Sequence, residues 1–219
     1  IAEKLTTGWL IGIDRDPVAL KAAGERLSPF ADRVTLVHSN FCRMGQVLQE
    51  LGISGVDGIL LDLGVSSPQL DDGSRGFSYM TDAPLDMRMD NGDVIRSAMP
   101  PAALREKQHP AKRTFQAIRI AVNDELNSVS KAMDAAIPCL NPGGRLAVIT
   151  FHSLEDRIVK NAMAAAAKGC ICPPEFPVCV CGRKPQVTVL TRKPIVSGEE
   201  ELERNPRARS AKLRICEKR

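Results

Sequence analysis

Short apolar runs alternate with longer amphipathic stretches along this chain. Trp9 to Ile13, Val34 to Val37, Gly58 to Leu61 and Arg145 to Thr150 are predominantly apolar, and each ends in polar or turn residues. Runs of this kind predict strands buried on both faces, as in a parallel sheet. Between them the period lengthens. After Asp16-Pro17, the residues Val18, Leu20, Ala23 and Leu27 fall near helical spacing, with the proline suited to a first helical position. Gly45 to Leu51 predicts a shorter helix. Thr114 to Ala136 predicts one long helix, because Phe115, Ile118, Val122, Leu126, Val129 and Met133 recur at steps of three and four. Pro142-Gly143-Gly144 closes its connection to the next strand. Ser153-Leu154-Glu155-Asp156 reads as a capping box opening a helix through Ala167.

Alternating strands and helices imply an α/β protein with a parallel sheet covered on both faces. The ending departs from that rhythm. VTVLTR (187 to 192) and AKLRICEK (211 to 218) are β-like segments joined by the charged loop GEEELERNPRARS. Two strands after the last helix with no further crossover predict an antiparallel pair at a sheet edge. The beginning departs too. A doubly wound sheet has a central first strand feeding a glycine-rich turn, whereas IAEKLTTG reads as a helix end running directly into what should be strand two. The sequence therefore reads as lacking its native first strand.

Composition narrows the class without choosing a function. With 219 residues, 43% hydrophobic and 26% charged, the chain suits one sizeable soluble α/β domain, alone or with a small accessory lobe. No apolar run approaches the roughly 18 residues of a membrane span, and no secretory signal precedes Trp9, so a cytoplasmic location and no membrane partner are expected. The net charge of +4 is unevenly placed: residues 157 to 219 hold 14 Lys and Arg against 6 Asp and Glu. A basic end on a near-neutral body suits a polyanion such as RNA, or simply a solvated surface. Seven cysteines without a secretory signal point to reduced thiols or metal ligands.

Ligands of such sheets bind at the carboxyl ends of strands, which is where Asp14 and Asp62 fall. A carboxylate ending strand two can accept hydrogen bonds from ribose hydroxyls, of a dinucleotide or of S-adenosylmethionine alike; Asp16 is the better cap for the helix that follows. Asp62 follows four apolar residues and is costly to bury unless a ligand satisfies it. The next turn, Ser66-Ser67-Pro68-Gln69, is either an ordinary proline turn or a stiff presentation of a carbonyl and a hydroxyl. The second arrangement suits methylation of an exocyclic amino group. There the lone pair is delocalised into the base, and hydrogen bonds accepted from the amine draw the nitrogen toward tetrahedral geometry. An NAD-dependent oxidoreductase lacks support, since no Tyr-Lys pair appears and the only tyrosine is Tyr79.

GIDRDP (12 to 17), LLDLGVSSPQLDDGSRGFSYM (60 to 80), PLDMRMD (84 to 90), HPAKRTFQAIRIAVNDEL (109 to 126), NPGGRLAVITFHSLEDRIVK (141 to 160) and NPRARSAKLR (205 to 214) together closely resemble the bacterial small-subunit ribosomal RNA cytosine-N4 methyltransferases, the RsmH or MraW family. The resemblance implies a class I methyltransferase (Rossmann-like) sheet ended by its antiparallel strand pair, with S-adenosylmethionine as cofactor. It implies methyl transfer to N4 of a cytidine in 16S ribosomal RNA, at the decoding centre of the small subunit. Carried over, Asp14 holds the cofactor ribose, Phe41 meets the adenine, and Asp62 and Gln69 complete the cofactor pocket. By analogy with the proline loops of other amino-methyltransferases, Ser67 and Pro68 orient the target amine beside Asp62. The family's glycine-rich loop is expected upstream of Ile1, and its helical lobe is largely missing. Residues 1–90 and 114–219 then read as the two parts of the methyltransferase domain. Residues 91–113 read as the remnant of the lobe, with a chain gap expected near Asn91 and Gly92. A noncatalytic ribosome-assembly factor binding RNA through the basic end is the alternative.

Other sites stay open at this level. Lys112, Arg113 and Arg119, around the start of the long helix, either contact RNA phosphates or face solvent, and the resemblance favours RNA. His152 is either structural or a site residue. Cys170, Cys172, Cys179 and Cys181 form C-x-C-x6-C-x-C, either a tetrahedral zinc site or free thiols on a proline-rich loop. Cys42, Cys139 and Cys216 fit core or near-core positions.

Overall fold

The computed structural model describes residues 1–78, 86–89, 111–173, 175–178 and 180–219, and for residues 111–114 the backbone alone. The expected junction at Asn91 and Gly92, the segment 91–110, the side chains of Lys112 and Arg113, and Cys179 lie outside them. The chain divides into two compact units: residues 1–41 with 65–125, and residues 42–64 with 126–219.

In the first unit, β1 (Leu10–Asp14) and β2 (Val34–His38) pair in parallel, with Asp14 opposite His38. They are joined by helix α1 (Pro17–Leu27), which Asp16 caps by accepting from the Val18 N–H at 2.9 Å. The short helix α3 (Ser67–Asp71) and helix α4 (Ala111–Asn123) belong to the same unit. The expected long helix over 114–136 is two helices. It breaks at Asp124, whose φ of 50° is left-handed, and resumes as α5 (Glu125–Cys139). Asp is one of the few residues that tolerates that conformation. The apolar positions keep helical spacing on both sides of the break, which is why periodicity alone bridged it.

The second unit carries the larger sheet. Helix α2 (Met44–Glu50) precedes β3 (Val56–Asp62), which pairs in parallel with β4 (Leu140–Thr150). After helix α6 (Ser153–Ala167), β5 (Val187–Val189), β6 (Ile195–Val196), helix α7 (Glu199–Arg204) and β7 (Lys212–Lys218) complete the chain. The sheet order is β3-β4-β7-β5, with β6 also on β7 and every β7 pairing antiparallel. This is the expected α/β sheet finished by an antiparallel pair, although β7 inserts between β4 and β5. The charged loop before β7 is partly helical, as α7. Among the described residues β1 pairs only with β2, and β3 only with β4.

Pro142-Gly143-Gly144 does not close a connection; it lies inside β4. There the register to β3 shifts between Val56 and Gly58. Gly144 is required in this bulge, since a Cβ would sit 2.9 Å from the Asn141 carbonyl oxygen. Even-numbered residues of β4 point into the core: Leu146, Val148 and Thr150 are fully buried with Val159 and Met163 of α6 and Cys216 of β7. Burial pushes the Cys216 thiol up to about 11. Val129, Ala132, Met133 and Ala136 form the buried stripe of α5 at helical spacing. The cap of α6 is His152 rather than Ser153: its Nδ1 accepts from the Glu155 N–H at 3.4 Å while Glu155 bonds back to the His152 N–H. His152 is thus structural here, an uncommon residue in a box usually opened by Ser or Thr.

Candidate functional site

Asp14 closes β1 and faces solvent at the carboxyl end of the two-stranded sheet. Its Oδ1 accepts from the Asp16 N–H at 2.8 Å, and the Arg15 backbone N–H also donates toward the carboxylate. The surrounding protein desolvates the group and raises its pKa; the Asp16 N–H opposes that and the Asp16 charge adds to it. Asp14 is therefore a fixed acceptor with capacity to spare. The Ser39 N–H bonds the Asp14 carbonyl at 3.0 Å, tying the ends of β1 and β2 together. Phe41, two residues after Ser39, is half-buried in a 3-10 turn (Phe41–Arg43).

Ser66 to Gln69 is the start of a helix, not an irregular turn. Ser66 Oγ accepts from the Gln69 N–H, and Gln69 Oε1 accepts from the Ser66 N–H at 3.0 Å, a capping box with Ser67 and Pro68 in the first turn. The carbonyls of Ser66 and Pro68 accept from the Leu70 and Asp72 N–H groups. They keep only a second lone pair for any ligand. Ser67 and Pro68 themselves are exposed, and the Ser67 hydroxyl makes no hydrogen bond among the described residues.

Gln69 is buried, and both ends of its amide are in use: Nε2 donates to Asp16 Oδ2 at 2.7 Å. Asp16, which sequence assigned to capping alone, also accepts from Arg75 Nη2 at 3.0 Å. Burial alone would raise the Asp16 pKa; the Gln69 amide, Arg75 and the Val18 N–H outweigh it and hold the carboxyl below its usual value. Arg75 further donates to the carbonyls of Arg88 and Met89, and its guanidinium lies 5.9 Å from the Phe77 ring centroid. One carboxylate thus joins α1, the Ser-Ser-Pro turn and the 86–89 segment. Asn123 completes the frame: Nδ2 donates to the Met87 carbonyl at 2.8 Å and Oδ1 accepts from the Met89 N–H. Sequence reasoning missed Arg75 and Asn123, whose only signal was their presence in the strings shared with the family.

Removing the Gln69 amide leaves buried acceptors and donors unmatched, which costs about 1–3 kcal/mol. Gln69→Ala is expected to lower stability by that amount in chemical denaturation, with Gln69→Glu no better because it sets a second carboxylate on Asp16.

Arg119, expected at RNA, gives its guanidinium to Glu125: Nε and Nη2 meet Oε1 and Oε2 at 2.8 and 3.0 Å, with the arginine side chain 17% exposed. It is positioned by this pair. In the second unit Asp62 ends β3, opposite Ile149 of β4. Its side chain reaches solvent, desolvation raises its pKa, and no hydrogen bond to it is formed among the described residues. Cys170, Cys172 and Cys181 bring their Sγ atoms within 4.8 Å of one another. No helix of the described residues is long and apolar enough to cross a membrane.

A strand-and-helix order whose sheet ends in an antiparallel insertion is that of a class I methyltransferase fold. A solved protein from Clostridium thermocellum assigned as an rRNA methylase has the same fold, at a TM-score of 0.50 and 15% identity over 100% of this chain and 80% of its own. The model of the MraW methylase family matches residues 1–94 and 91–219, and the chain belongs to that family. Its relatives include the Ribosomal RNA small subunit methyltransferase H of Heliobacterium modesticaldum, 50% identical over 273 residues, covering 100% of this chain and 87% of the relative. The protein of that name from Brevibacillus brevis is 50% identical over 272 residues, with the same coverage. That from Geobacter sulfurreducens is 47% identical over 264 residues, covering 96% and 85%.

Proposed function

We propose that this protein transfers a methyl group from S-adenosylmethionine to N4 of a cytidine in 16S ribosomal RNA, at the decoding centre of the small subunit. Membership of the MraW methylase family and relatives named for small-subunit rRNA methylation support the reaction class. The observation that carries the residue assignment is Asp62: a strand-end carboxylate whose pKa its surroundings raise and which makes no hydrogen bond among the described residues. A cationic or amino-bearing ligand satisfies such a group.

Taken one by one, the chemistry of these residues suits parts of the cofactor. Asp14 keeps acceptor capacity for a ribose diol, and Phe41 offers an apolar face for adenine. Asp62 supplies a negative charge suited to a sulfonium or an amine. When bound, S-adenosylmethionine would supply an electrophilic methyl group carried on a sulfonium, with a neutral thioether as leaving group. Ser67 presents a hydroxyl that accepts from the N4 amino hydrogens of a cytidine drawn out of its stack, and Pro68 fixes the backbone that carries it. Those bonds would release the N4 lone pair from the ring and so make the nitrogen nucleophilic. The methylated nitrogen is acidic and passes its extra proton to water, so no dedicated base is needed. Gln69 acts from behind, holding the turn against Asp16. Lys112 and Arg113 contact RNA phosphates, and Arg119, held by Glu125, steadies the same helix.

Residues 1–90 and 114–219 are proposed as the two parts of the methyltransferase domain, with a reduced helical lobe at 91–113. Two matched segments meeting at 91–94, and an alignment of 273 positions for a chain of 219 residues, support that reading. A cytoplasmic location belongs to the same reading, since it follows from a ribosomal substrate.

The protein incubated with radiolabelled S-adenosylmethionine and small subunits from cells lacking the modification is expected to label the 16S RNA. RNA binding without incorporation would replace this reading with the noncatalytic assembly factor that the basic end of the chain also suits.

A further inference from the structure

We propose that Cys170, Cys172 and Cys181 form a structural zinc site that closes the loop between α6 and β5. This loop, from Lys168 to Gln186, has no regular secondary structure among its described residues. It exposes Ile171, Phe176, Val178 and Val180 to solvent, so it has no apolar core to hold it. Small segments that cannot bury a core are held by cross-links or metals. Its two ends are already clamped: the Gln186 N–H donates to the Ala166 carbonyl at 2.8 Å, and Arg183 Nη2 to the Ala165 carbonyl at 2.7 Å.

Between those clamps the three thiols converge. The Sγ atoms of Cys170 and Cys181 are 3.8 Å apart, and all three lie within 4.8 Å of one another. Thiolates about 2.3 Å from zinc at tetrahedral angles sit roughly 3.8 Å apart, whereas a disulfide holds its sulfurs at about 2.05 Å. The Cys172 N–H points at Cys170 Sγ at 3.3 Å, a contact that favours the thiolate which metal binding requires. Gly182, with a φ of 62°, turns the chain directly after Cys181 and so lets it double back toward Cys170. Three soft sulfur ligands select zinc over magnesium or calcium. Binding releases the thiol protons to solvent, and the fourth tetrahedral position is left to water or to a ligand outside the described residues.

The test is metal analysis of protein purified from zinc-replete cells without chelator. About one zinc per chain is expected, falling at least roughly tenfold in Cys170→Ser and Cys181→Ser and unchanged in Cys42→Ser. Cobalt added to the demetallated wild type is expected to give intense visible absorption with a thiolate charge-transfer band; this readout does not depend on the variants folding. Less than roughly a tenth of an equivalent of zinc in the wild type, together with no tetrahedral cobalt spectrum, overturns the site. So does zinc retained in both serine variants, or an intact mass two hydrogens light that maps to a Cys170–Cys181 disulfide.

Discussion

Asp62→Ala is expected to lower kcat/KM for methyl transfer by roughly 10²–10³, the loss typical of removing one preorganised polar group from a transition-state site. Asp62 stands at the carboxyl end of β3 without a hydrogen bond among the described residues. With no hydrogen bond of its own to lose among the described residues, its removal is expected to leave the fold intact. The variant should therefore unfold at the wild-type denaturant concentration while losing activity, and an equal fall in stability would reassign Asp62 to structure. Its pH dependence has a defined sign. Desolvation raises the carboxyl pKa, and the ionised form is the useful one. The acid limb of kcat/KM should therefore lie above about 3.9, the ordinary value of an aspartate, with activity lost as pH falls through it. Asp14 is raised by the same cause, and with its proposed ribose role cofactor affinity is expected to shift the same way. Asp14→Ala should weaken S-adenosylmethionine binding by about 1.5–3 kcal/mol, the range for a hydrogen bond to a charged group.

Asp156→Ala carries the largest expected cost in stability. Arg214 Nε and Nη2 meet Asp156 Oδ1 and Oδ2 at 2.7 and 3.1 Å, joining α6 to β7 across a nearly solvent-free contact. Lys212 adds a weaker attraction at 3.8 Å. Removing the carboxylate strands the buried guanidinium, which costs about 3–5 kcal/mol. Replacing both partners by apolar residues of similar volume should recover most of that. The pair also shapes acid stability. The Arg214 hydrogen bonds hold Asp156 below its usual pKa against the opposing effect of burial. The stabilisation it provides is present above the unfolded value near 3.9 and is lost as pH falls through the lower folded value. Wild type should thus lose stability below about pH 4 more steeply than Asp156→Asn. Parallel pH profiles for the two proteins would contradict this.

The strands were legible because buried runs of aliphatic residues have few alternatives: Val34–His38 and Val56–Asp62 fall within two residues of the expected bounds. The strand-end placement of Asp14 and Asp62 followed from the same reading. What the sequence concealed was long-range. The hydrogen bonds from Gln69 and Arg75 to Asp16 span 53 and 59 residues, and no local pattern announces a carboxylate shared at that distance. The break at Asp124 left the apolar spacing intact and showed only in the Asn123-Asp124 pair, two residues tolerant of left-handed backbone. The cap of α6 was missed because histidine seldom takes that position, and the neighbouring Ser153 offered a more ordinary box.

The most direct test is the identity of the product. The protein is allowed to methylate small subunits lacking the modification with isotope-labelled S-adenosylmethionine. The 16S RNA is then digested to nucleosides and separated by mass. The account predicts label in N4-methylcytidine, and its disappearance with Asp62→Ala. Label in a ring-carbon or ribose-methylated nucleoside would contradict it, because the exposed Ser67 hydroxyl and the proline-fixed turn were assigned to an exocyclic amine.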